Sequence, residues 1–582
     1  MQKNNLLPTA LIQTALIQTI GTSIFLVFAS LLFANVLFTS IALAAETQKP
    51  ANAETTIQPQ AADKAVQQTT QQAKATEQKK VEDPAFNVFE IKVNGNTVLP
   101  VGKIEEAVYP YLGETKTIAD MEKARAALEK TYQDAGYLTV SVSIPQQEVD
   151  AGVVNLQVTE GSVEKLRIKD SKYSSLAEIK SRVPEFEEGK VPHFPTAQAQ
   201  LSTVNRGQNR QVTPVLRAGK SPGKVEVDLK VQDQLPLHGS LELNDRYSQN
   251  TTRTRLNGSV RYENLWQKDH SIGISFQLSP EDLNETKVVS GTYVIPRMNG
   301  DYFAAYGVIS KSDISAVGDV SVVGNGVIVG ARYIHPLPPV ENYYHSMTLG
   351  ADYKDFQETI LILGSDVGKN PISYTAFSLA YDGTLNLQSS QTQMNIGVNF
   401  APSSLGNSDR EFAKKRTFAK SSYGYLRADL KHTQKLPLNW ALQAKLNGQF
   451  TDNPLISAEQ FTIGGADSVR GYVESQALGD NGLFASLELR TPPLVKFVNN
   501  KSFKDYIKEL YAFSFVDVGH VDTLKATPGQ DKKSDLASVG LGVKLKLSKG
   551  IFTNVDYAHA MRAAGDVEKG DDRLHFRLGY EW

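Results

Sequence analysis

Two motifs in the C-terminal half of the chain carry charged side chains, an arginine in one and an aspartate in the other. The first, Gly464 to Tyr472, reads GGADSVRGY and is too rich in glycine for the centre of a strand, so it predicts a loop that carries Arg470. The second, Phe515 to Gly519, reads FVDVG and predicts a strand that carries Asp517. A guanidinium offers hydrogen-bond donors and a carboxylate offers acceptors, which is a structural chemistry rather than a catalytic one.

Signs of catalysis are missing from the sequence. The chain of 582 residues has no cysteine, which excludes disulfides, thiolate metal sites and cysteine nucleophiles. It has no H-E-x-x-H or G-x-x-x-x-G-K-[ST] motif, and its G-x-S-x-G string, Gly219–Gly223, reads as a turn between two strands and not as a strand-to-helix nucleophile elbow. Its nine histidines are scattered, and we expect His520 and His559 to face a lumen or lie in loops. The sequence predicts no enzyme, no catalytic or metal-binding residue and no cofactor. A serine–histidine pair that forms only in the fold stays an alternative.

The last ten residues alternate strictly between apolar and polar side chains. One parity carries Leu574, Phe576, Leu578, Tyr580 and Trp582, and the other carries Arg573, His575, Arg577, Gly579 and Glu581. Successive side chains of a strand point to opposite faces, and a tilted strand crosses a membrane in about 9–11 residues. The segment therefore predicts a membrane strand with one face toward lipid and one toward a wet lumen. An ordinary C-terminal strand of a soluble sheet is the alternative.

Length and composition agree with a large envelope protein. A chain of 582 residues suggests several domains, and a formal net charge of −2 gives no support to nucleic-acid binding. The mean hydropathy of −0.29 is too low for a helical membrane protein. A barrel tolerates that value because half of each strand faces water.

The first 85 residues read as targeting and linking segments. Residues 1–45 predict a signal peptide, because Lys3 precedes a long apolar run that ends in the small-x-small pattern Ala42-Leu43-Ala44. An uncleaved membrane anchor is the alternative reading of this run. Residues 46–85 predict a polar linker, rich in Gln, Ala, Thr and Lys. Within it, residues 61–80 hold good helix formers, so this stretch is either disordered or a helix that docks elsewhere.

Two similar α+β units follow the linker. Residues 86–161 predict the order strand, helix, helix, strand, strand, and residues 162–234 repeat it more loosely. In the first unit the elements are expected at 86–93, 100–112, a helix that starts with a capping box at Thr117 and stops at Gly136, 137–144 and 153–158. In the second unit they are expected at 163–168, 174–183, 196–204, 212–217 and 225–231.

From residue 235 to residue 582 the pattern changes to alternating strands separated by turns. Clear cases are Ser271–Leu278 and Gly540–Leu547, and a polar loop is expected at 403–420. This region has no apolar stretch long enough for a spanning helix. Only a closed barrel crosses lipid without one, since every backbone N–H and C=O must pair within the protein. The length allows about 14 to 18 strands of about ten residues each.

These motifs together resemble an outer-membrane superfamily that joins POTRA domains to a β-barrel, and within it the two-partner secretion transporters. The resemblance lies in the VRGY loop (469–472), in the FVDVG strand and in the phrases Pro110–Gly113, Gly136-Tyr137, Ile144–Gln146, Thr159–Gly161 and Asn264–Trp266. It implies a transmembrane β-barrel of about 16 antiparallel strands, preceded by two periplasmic α+β POTRA domains. In this interpretation the POTRA domains are residues 86–161 and 162–234, the barrel is 235–582, and the protein lies in the outer membrane.

The resemblance also implies a site and partners. Val469, Arg470, Gly471, Tyr472 and Asp517 are expected to lock the VRGY loop inside the barrel, next to Phe515 and Gly519 of the motif strand. Phe576, Leu578, Tyr580 and Trp582 are expected to form a C-terminal signal for the barrel-assembly machinery. The implied partner is a large unfolded exoprotein of the adhesin, haemolysin or contact-dependent toxin type, besides outer-membrane lipid, with no nucleic acid. The POTRA domains would capture this client by strand addition, and residues 61–80 occupy the place of a plug helix.

Other functions are compatible with parts of this pattern. A barrel-assembly insertase of the same superfamily would carry the same VRGY loop, although such proteins resemble longer arrays of POTRA units. A passive porin needs no soluble front end. A barrel enzyme, such as a lipase or protease, would need a catalytic set that no local motif reveals.

Overall fold

A computed structural model describes residues 85–582, apart from positions 150, 208, 298, 313, 318, 319, 324, 363 and 364, and gives no side-chain environment for 313–324 and 358–370. The predicted signal peptide (1–45) and the predicted linker (46–85), except its last residue, lie outside the described residues, and so does the stretch 61–80 in the place of a plug helix. Among the residues that are described, no helix has the length and apolar character needed to cross a membrane.

The first α+β unit packs two helices on a three-stranded sheet. Its elements are β1 (Phe86–Val88), β2 (Glu90–Asn94), α1 (Val101–Val108), β3 (Gly113–Lys116), α2 (Ile118–Asp134), β4 (Val140–Ser143) and β5 (Val153–Glu160). The sheet order is β2-β5-β4, with β2 parallel to β5 and β4 antiparallel to it, and β1 pairs separately with β3. The core between helices and sheet includes the fully buried Leu128, Tyr132 and Leu156.

Three local predictions for this unit meet different outcomes. The strand predicted at 86–93 is interrupted at Phe89 and forms β1 and β2. The helix predicted at 100–112 ends at Val108 and continues as a 3₁₀ turn, Tyr109–Tyr111, because Pro110 has no N–H to donate to the preceding turn. The capping box is confirmed: Thr117 and Asp120 exchange side-chain and backbone hydrogen bonds at the start of α2.

The second unit repeats the topology of the first. Its elements are β6 (Ser162–Lys169), α3 (Leu176–Arg182), α4 (Phe194–Val204), β7 (Arg210–Ala218) and β8 (Lys224–Asp233). The sheet order is β6-β8-β7, again with a parallel pair and an antiparallel pair around a central last strand. The repeated sequence pattern thus corresponds to two consecutive units with the same topology.

The remaining strands are long and antiparallel. They are β9 (Leu237–Asn244), β10 (Arg255–Leu265), β11 (His270–Leu278), β12 (Lys287–Pro296), β13 (Tyr302–Lys311), β14 (Ile314–Val317), β15 (Val320–Val323), β16 (Gly326–Pro336), β17 (Tyr343–Ile362), β18 (Ser365–Asn386), β19 (Ser390–Ala401), β20 (Tyr423–Lys435), β21 (Ala441–Phe450), β22 (Phe461–Ile463), β23 (Ala477–Gly479), β24 (Asn481–Arg490), β25 (Ile507–Asp522), β26 (Lys533–Leu547), β27 (Ile551–Ala560) and β28 (Asp572–Glu581). Two short helices accompany them, α5 (Asp409–Lys415) and α6 (Lys501–Lys504).

Sixteen of these strands close into a barrel, because β28 pairs with β9. The hairpins β14–β15 and β22–β23 stand outside the closed ladder. Closure leaves no sheet edge, which is what a membrane strand requires. Along β11 the outward Ile272 and Ile274 are 42% and 57% exposed, while Ser271 and Ser275 alternate with them on the inner face. We call the end of the barrel where β9 begins the near rim and the opposite end the far rim.

The C-terminal strand has the predicted faces. Leu574, Leu578, Tyr580 and Trp582 are exposed on the outside, whereas His575 is buried inside. The rings of Tyr580 and Trp582 stack with centroids 5.6 Å apart. The polar loop predicted at 403–420 differs from expectation, because it contains α5, whose Phe412 is fully buried against Tyr374 and Tyr423.

Candidate functional site: the loop inside the barrel

The segment between β21 and β24, residues 451–480, turns from the far rim into the barrel, and we call it the lumen loop. It holds the β22–β23 hairpin and the VRGY motif. Val469, Arg470 and Tyr472 of the motif are buried. The structure therefore brings the glycine-rich motif into contact with the barrel wall, where Asp517 lies on β25.

Arg470 and Asp517 form a buried bidentate pair. The Arg470 Nε donates to Asp517 Oδ2 at 2.7 Å and Nη2 donates to Oδ1 at 2.9 Å. The backbone N–H of Arg470 donates a third bond to Oδ2 at 3.2 Å. Arg470 is 7% exposed and Asp517 is 0% exposed. Such a pair fixes the position of the motif, because breaking it leaves an ion in a site that water scarcely reaches.

The surroundings of the pair are rich in carboxylates. Arg470 Nη1 lies 3.4 Å from Glu488 Oε2 and 4.0 Å from Asp556 Oδ2. The guanidinium carbon also stands 3.3 Å from the ring centroid of Phe515, close enough for a cation–π contact. Arg490 donates at 2.7 Å to the other oxygen of Glu488, Oε1. Arg470 is therefore the cation on which three wall carboxylates converge.

The other residues of the two motifs allow the loop and the barrel wall to pack closely around this ion pair. Tyr472 donates from its hydroxyl to the carbonyl of Arg562 at 2.8 Å, and its ring packs with Val469 in the cluster that joins the loop to the wall. Gly471 has φ of +94°, a conformation that only glycine adopts without strain. A Cβ on Gly519 would stand 2.9 Å from Val469 Cγ2, so the wall needs glycine there.

A histidine of the last strand holds the motif from another side, which the sequence did not reveal. The N–H of Gly471 donates to His575 Nε2 at 3.0 Å, and His575 Nδ1 lies 3.0 Å from Asp245 Oδ2. Because Nε2 must accept, the proton sits on Nδ1 and is donated to Asp245. Asp245 also accepts from the N–H of Phe576 at 2.9 Å. The loop is thus connected to the place where the first and last barrel strands meet.

A second buried arginine–aspartate pair lies near the far rim and was also missed. Arg416, which follows α5, makes a bidentate contact with Asp480, the last residue of the lumen loop. Asp480 further accepts from the N–H groups of Leu455 at 2.8 Å and Leu524 at 2.7 Å. This carboxylate ties together three far-rim loops, at 402–422, 451–480 and 523–532.

The lumen loop is anchored on β17, β18 and β20 as well. Glu459, 3% exposed, accepts from Lys354 Nζ at 2.6 Å and from the hydroxyls of Tyr374 at 2.5 Å and Tyr425 at 3.0 Å. With Glu459 on one side and Arg470 on the other, the loop reaches from β17–β20 to β24–β28.

The loop also contacts the segment after β9 at the far rim. There Asp467 pairs with Arg246 at 2.7 Å, and the N–H of Glu474 donates to the carbonyl of Tyr247 at 2.9 Å. The near-rim half of β9 to β13 has no such anchor among the described contacts.

A cavity of about 1220 Å³ lies along that near-rim half of the wall. Small polar side chains of β9 to β12 line much of it: Ser240, Ser259, Ser271, Ser275, Ser290 and Thr292. Their hydroxyls make this part of the wall polar, although Tyr306, Tyr580 and Trp582 also line the cavity. Within the described residues no group of His, Cys, Asp or Glu has a metal-binding arrangement.

Two histidines depart from expectation. His520 and His559 do not face the lumen and do not lie in loops, because they belong to β25 and β27. They are exposed near the far rim, and each pairs with an aspartate on the neighbouring strand, Asp535 at 2.7 Å and Asp572 at 2.8 Å. Their strand parity puts them on the outer face, with Val516 and Val555, rather than on the face of Asp517.

The second α+β unit is attached to the near rim by polar contacts. The N–H of Ser175 donates to Gln267 Oε1 at 2.8 Å, and Arg210 Nη2 lies 3.0 Å from Asp269 Oδ2. Asp233 shapes the contacting segment by accepting from the N–H groups of residues 172–174, each at 2.9 Å. Burial raises the pKa of Asp233, but these N–H donors lower it more, and the net pKa is below the ordinary value.

Side chains cover one sheet edge in each unit. In the second unit the amide of Asn205 accepts from the N–H of Val212 at 2.6 Å and donates to its carbonyl at 2.9 Å. In the first unit the N–H of Val142 donates to Glu129 and its carbonyl accepts from Arg125, both at 3.3 Å. These side chains occupy the hydrogen-bonding groups that an added strand would use.

The barrel, its lumen loop and the two α+β units define a class of protein: an outer-membrane transporter with POTRA domains. The comparisons agree with this class. The family described as haemolysin secretion/activation protein ShlB/FhaC/HecB matches residues 223–545, more than half of the chain, and the POTRA domain of ShlB type matches residues 86–161. The chain belongs to this ShlB/FhaC/HecB family of secretion and activation proteins.

Individual relatives give the same result. The chain is 23% identical over 472 residues to the heme/hemopexin transporter protein HuxB of Haemophilus influenzae, covering 77% of this chain and 78% of that protein. It is 22% identical over 430 residues to the outer membrane transporter CdiB of Dickeya dadantii, covering 70% and 73%. Among solved structures, CdiB from Escherichia coli superposes with a TM-score of 0.58 at 18% identity, covering 88% of this chain and 93% of that one.

The predicted class, fold and location are thereby confirmed. The protein is a two-partner secretion transporter of the outer membrane, with a closed barrel of 16 strands, and its near rim and POTRA domains face the periplasm. The members of its family are transporters. The roles of the motif residues are a separate question, addressed by the proposal below.

Proposed function

We propose that the lumen loop is a fixed part of the barrel interior during export, and that the exported client passes beside it along β9 to β13. The observation that carries this proposal is the buried Arg470–Asp517 pair, which fastens the loop to β25. An anchored loop leaves open the cavity along Ser259 and Ser275, which lies in the near-rim half of the barrel and would form the periplasmic entrance of a polar route. The predicted lock of Val469, Arg470, Gly471, Tyr472 and Asp517 thus keeps the route open.

Secretion assays test the lock. Arg470→Ala and Asp517→Ala should each reduce export of the cognate client, because a detached loop would move into the route. Barrel insertion is monitored in parallel by the difference in gel migration between the unheated and the heated protein. Unchanged export in both variants would defeat the proposal.

The route has its own test, which uses the lack of native cysteine. Ser275→Cys places a thiol on the cavity wall, and Ile274→Cys, one residue away, places it on the lipid-facing side. A bulky maleimide attached to the thiol of the Ser275→Cys variant should slow export, whereas the same reagent on the Ile274→Cys variant should not. Equal effects at the two positions would contradict a route along β11.

Client capture is assigned to the covered edges of the POTRA domains. An extended client can pair with Val142 or Val212 once it displaces the side chains of Arg125 and Glu129, or of Asn205. Main-chain pairing needs no strict sequence readout, which suits a long unfolded client. Asn205→Ala should change the affinity of the isolated full-length transporter for its client. The control is Gln200→Ala on α4, the helix that precedes Asn205, because this change leaves Val212 covered. Equal affinities would exclude this edge.

The client is a secreted exoprotein. Its type is assigned by analogy: HuxB is named a heme/hemopexin transporter and CdiB an outer membrane transporter. Adhesins, haemolysins and contact-dependent toxins have the same physical character, which is a long chain that crosses unfolded. Folding of the client at the cell surface would make the crossing one-way. A client that cannot fold outside should therefore accumulate as a stalled chain in the barrel.

The remaining assignments follow from the same class. The protein acts as a conduit and not as an enzyme, and it needs no cofactor. Residues 1–45 direct export, residues 46–85 link this signal to the first POTRA domain, and Phe576, Leu578, Tyr580 and Trp582 present the strand that the barrel-assembly machinery recognises. Replacing Trp582 by Ser should lower the amount of inserted barrel, whereas Leu438→Ser, at another exposed near-rim position, should not. Equal insertion of the two variants would exclude the signal.

A further inference from the structure

One connection at the near rim differs from its neighbours in length and structure. Residues 491–506, which we call the rim segment, join β24 to β25, whereas the turns 266–269, 387–389 and 548–550 are short. The segment contains a 3₁₀ helix, Leu494–Phe497, and α6, whose first turn is capped by Asn500 through a bond from the N–H of Phe503 at 3.0 Å. It is thus folded.

This folded segment exposes large apolar side chains. Phe497 is 68% exposed, Phe503 is 44% exposed and Tyr506 is 46% exposed. Exposed aromatic side chains in a cluster mark a surface that another apolar phase covers. In membrane proteins aromatic residues collect at the level of the headgroups, where one end of the ring is apolar and the other is wet.

Cations accompany these rings. Lys496 Nζ lies 5.1 Å from the ring centroid of Phe497, and Lys549 Nζ of the neighbouring turn lies 5.2 Å from that of Tyr506. Lys501 and Lys504 belong to α6. Within the described part of the chain none of these four lysines has a carboxylate partner, so their charges are available to an external anion.

The rim segment is also joined to the aromatic end of the barrel. The N–H of Ser548 donates to the carbonyl of Tyr506 at 2.7 Å, and the N–H of Glu581 donates to that of Gly550 at 3.0 Å. Through the turn 548–550 the segment is therefore connected to the stacked rings of Tyr580 and Trp582. The exposed aromatic residues of the rim segment and those of the C-terminal strand are therefore linked through hydrogen-bonded backbone at the same rim.

We propose that the rim segment is a membrane-surface anchor that binds anionic phospholipid headgroups of the periplasmic leaflet. Phe497 and Phe503 enter the boundary between headgroups and acyl chains, and the lysines meet the phosphates. Lysine with aromatic residues is the side-chain combination of interfacial segments. An acidic protein partner would bind the lysines without requiring Phe497 and Phe503 to enter the membrane. Binding of such a protein is therefore the alternative outcome of the test.

Spin labels test whether the side chains at 497 and 503 enter the membrane. In the full-length transporter in lipid nanodiscs, labels on Phe497→Cys and Phe503→Cys should be more accessible to oxygen than to a water-soluble nickel complex, like a label on the lipid-facing Leu241→Cys. A label on Leu176→Cys, in the second POTRA domain, should show the opposite preference. Labels at 497 and 503 that behave like the one at 176 would overturn the proposal.

Lipid titration tests the headgroup. The variant with Lys496, Lys501 and Lys504 all replaced by Gln should lose affinity for phosphatidylglycerol by about fivefold per lysine. Affinity for phosphatidylcholine should not change. The control removes the same charge from Lys92, Lys103 and Lys130 of the first POTRA domain and should bind as the parent does. Equal phosphatidylglycerol affinities of the two triple variants would contradict the headgroup contact. If the lysines are protected from chemical labelling only by an added protein and not by lipid, they bind a protein partner instead.

Discussion

The two buried arginine–aspartate pairs of the lumen loop are built in opposite ways. At the inner pair one cation, Arg470, faces Asp517, Glu488 and Asp556. At the outer pair one carboxylate, Asp480, receives the Arg416 guanidinium and two backbone N–H groups. Both pairs are bidentate and both are buried, so their geometry alone would suggest equal roles.

The difference predicts which partner matters at each site. Without Arg470, three carboxylates converge and only Arg490 compensates them. Without Asp517, Arg470 still has Glu488 and Asp556 within 4.0 Å. At the outer pair the loss of Asp480 leaves two N–H groups without an acceptor, whereas the loss of Arg416 leaves the carboxylate with its backbone donors. The central residue is an arginine at one site and an aspartate at the other.

The largest effect is expected at Arg470. Arg470→Ala should destabilise docking of the lumen loop by about 3–5 kcal/mol, since it leaves buried carboxylates uncompensated. Asp517→Asn should cost less, about 1–3 kcal/mol, because the cation keeps other acceptors. Hydrogen exchange of peptides that span 464–474 measures docking, with the POTRA peptides as internal control. An Asp517→Asn variant that exchanges faster than Arg470→Ala would reverse the comparison.

The outer pair should show the reverse order. Asp480→Ala should increase exchange in all three far-rim loops, at a cost of about 2–4 kcal/mol, because it removes the common acceptor of an arginine and two N–H groups. Arg416→Ala should increase exchange in the same loops by a smaller amount, because the carbonyls of Leu455 and Leu524 lose a donor but Asp480 keeps its two backbone N–H donors. If the two variants exchange alike, the carboxylate is not the centre of this site.

A smaller effect is expected from steric pressure at Gly519. Gly519→Ala places a methyl group 2.9 Å from Val469 Cγ2, which should cost about 1–3 kcal/mol of loop docking. The matched control is Gly424→Ala, where the nearest atom to the new Cβ is 3.6 Å away. Equal exchange of the 464–474 peptides in both variants would show that the motif and β25 are less closely packed than described.

His575 should contribute about as much as one hydrogen bond. His575→Phe leaves the N–H of Gly471 and the carboxylate of Asp245 without their partner, with an expected cost of about 1–3 kcal/mol. Exchange should rise both in the VRGY motif and in the closing strands β9 and β28. A rise in the motif alone would show that the loop and the strand junction are independent.

The smallest effect is a pH dependence at the second POTRA domain. Because the folded pKa of Asp233 is lowered, its contribution to stability is present above the unfolded pKa of about 3.9 and is lost as pH falls through the folded pKa. Asp233→Asn should therefore weaken this domain at pH 7, and its difference from the parent should shrink below about pH 4. A difference that does not change with pH would assign the effect to something other than charge.

Much of the fold could be predicted from the sequence because it depends on local periodicity. Strand alternation gave the lipid-facing residues of β28, and the capping box gave the start of α2. The Arg470–Asp517 contact was predicted from motif resemblance. The contacts of Gly471 with His575 and of Arg416 with Asp480 join residues far apart in the chain, and no local pattern indicates which loops meet in the lumen. Pro110 shortened the helix that was predicted to continue to residue 112.

The claim that the loop stays docked during export is tested most directly by a disulfide between Val469→Cys and Gly519→Cys. A Cβ at 519 lies next to the Val469 side chain, within reach of a disulfide, and the chain has no other cysteine. Secretion of the client should be equal in the oxidised and the reduced protein. Secretion that stops on oxidation and returns on reduction would contradict the account, since the loop would then have to leave the wall for the client to pass.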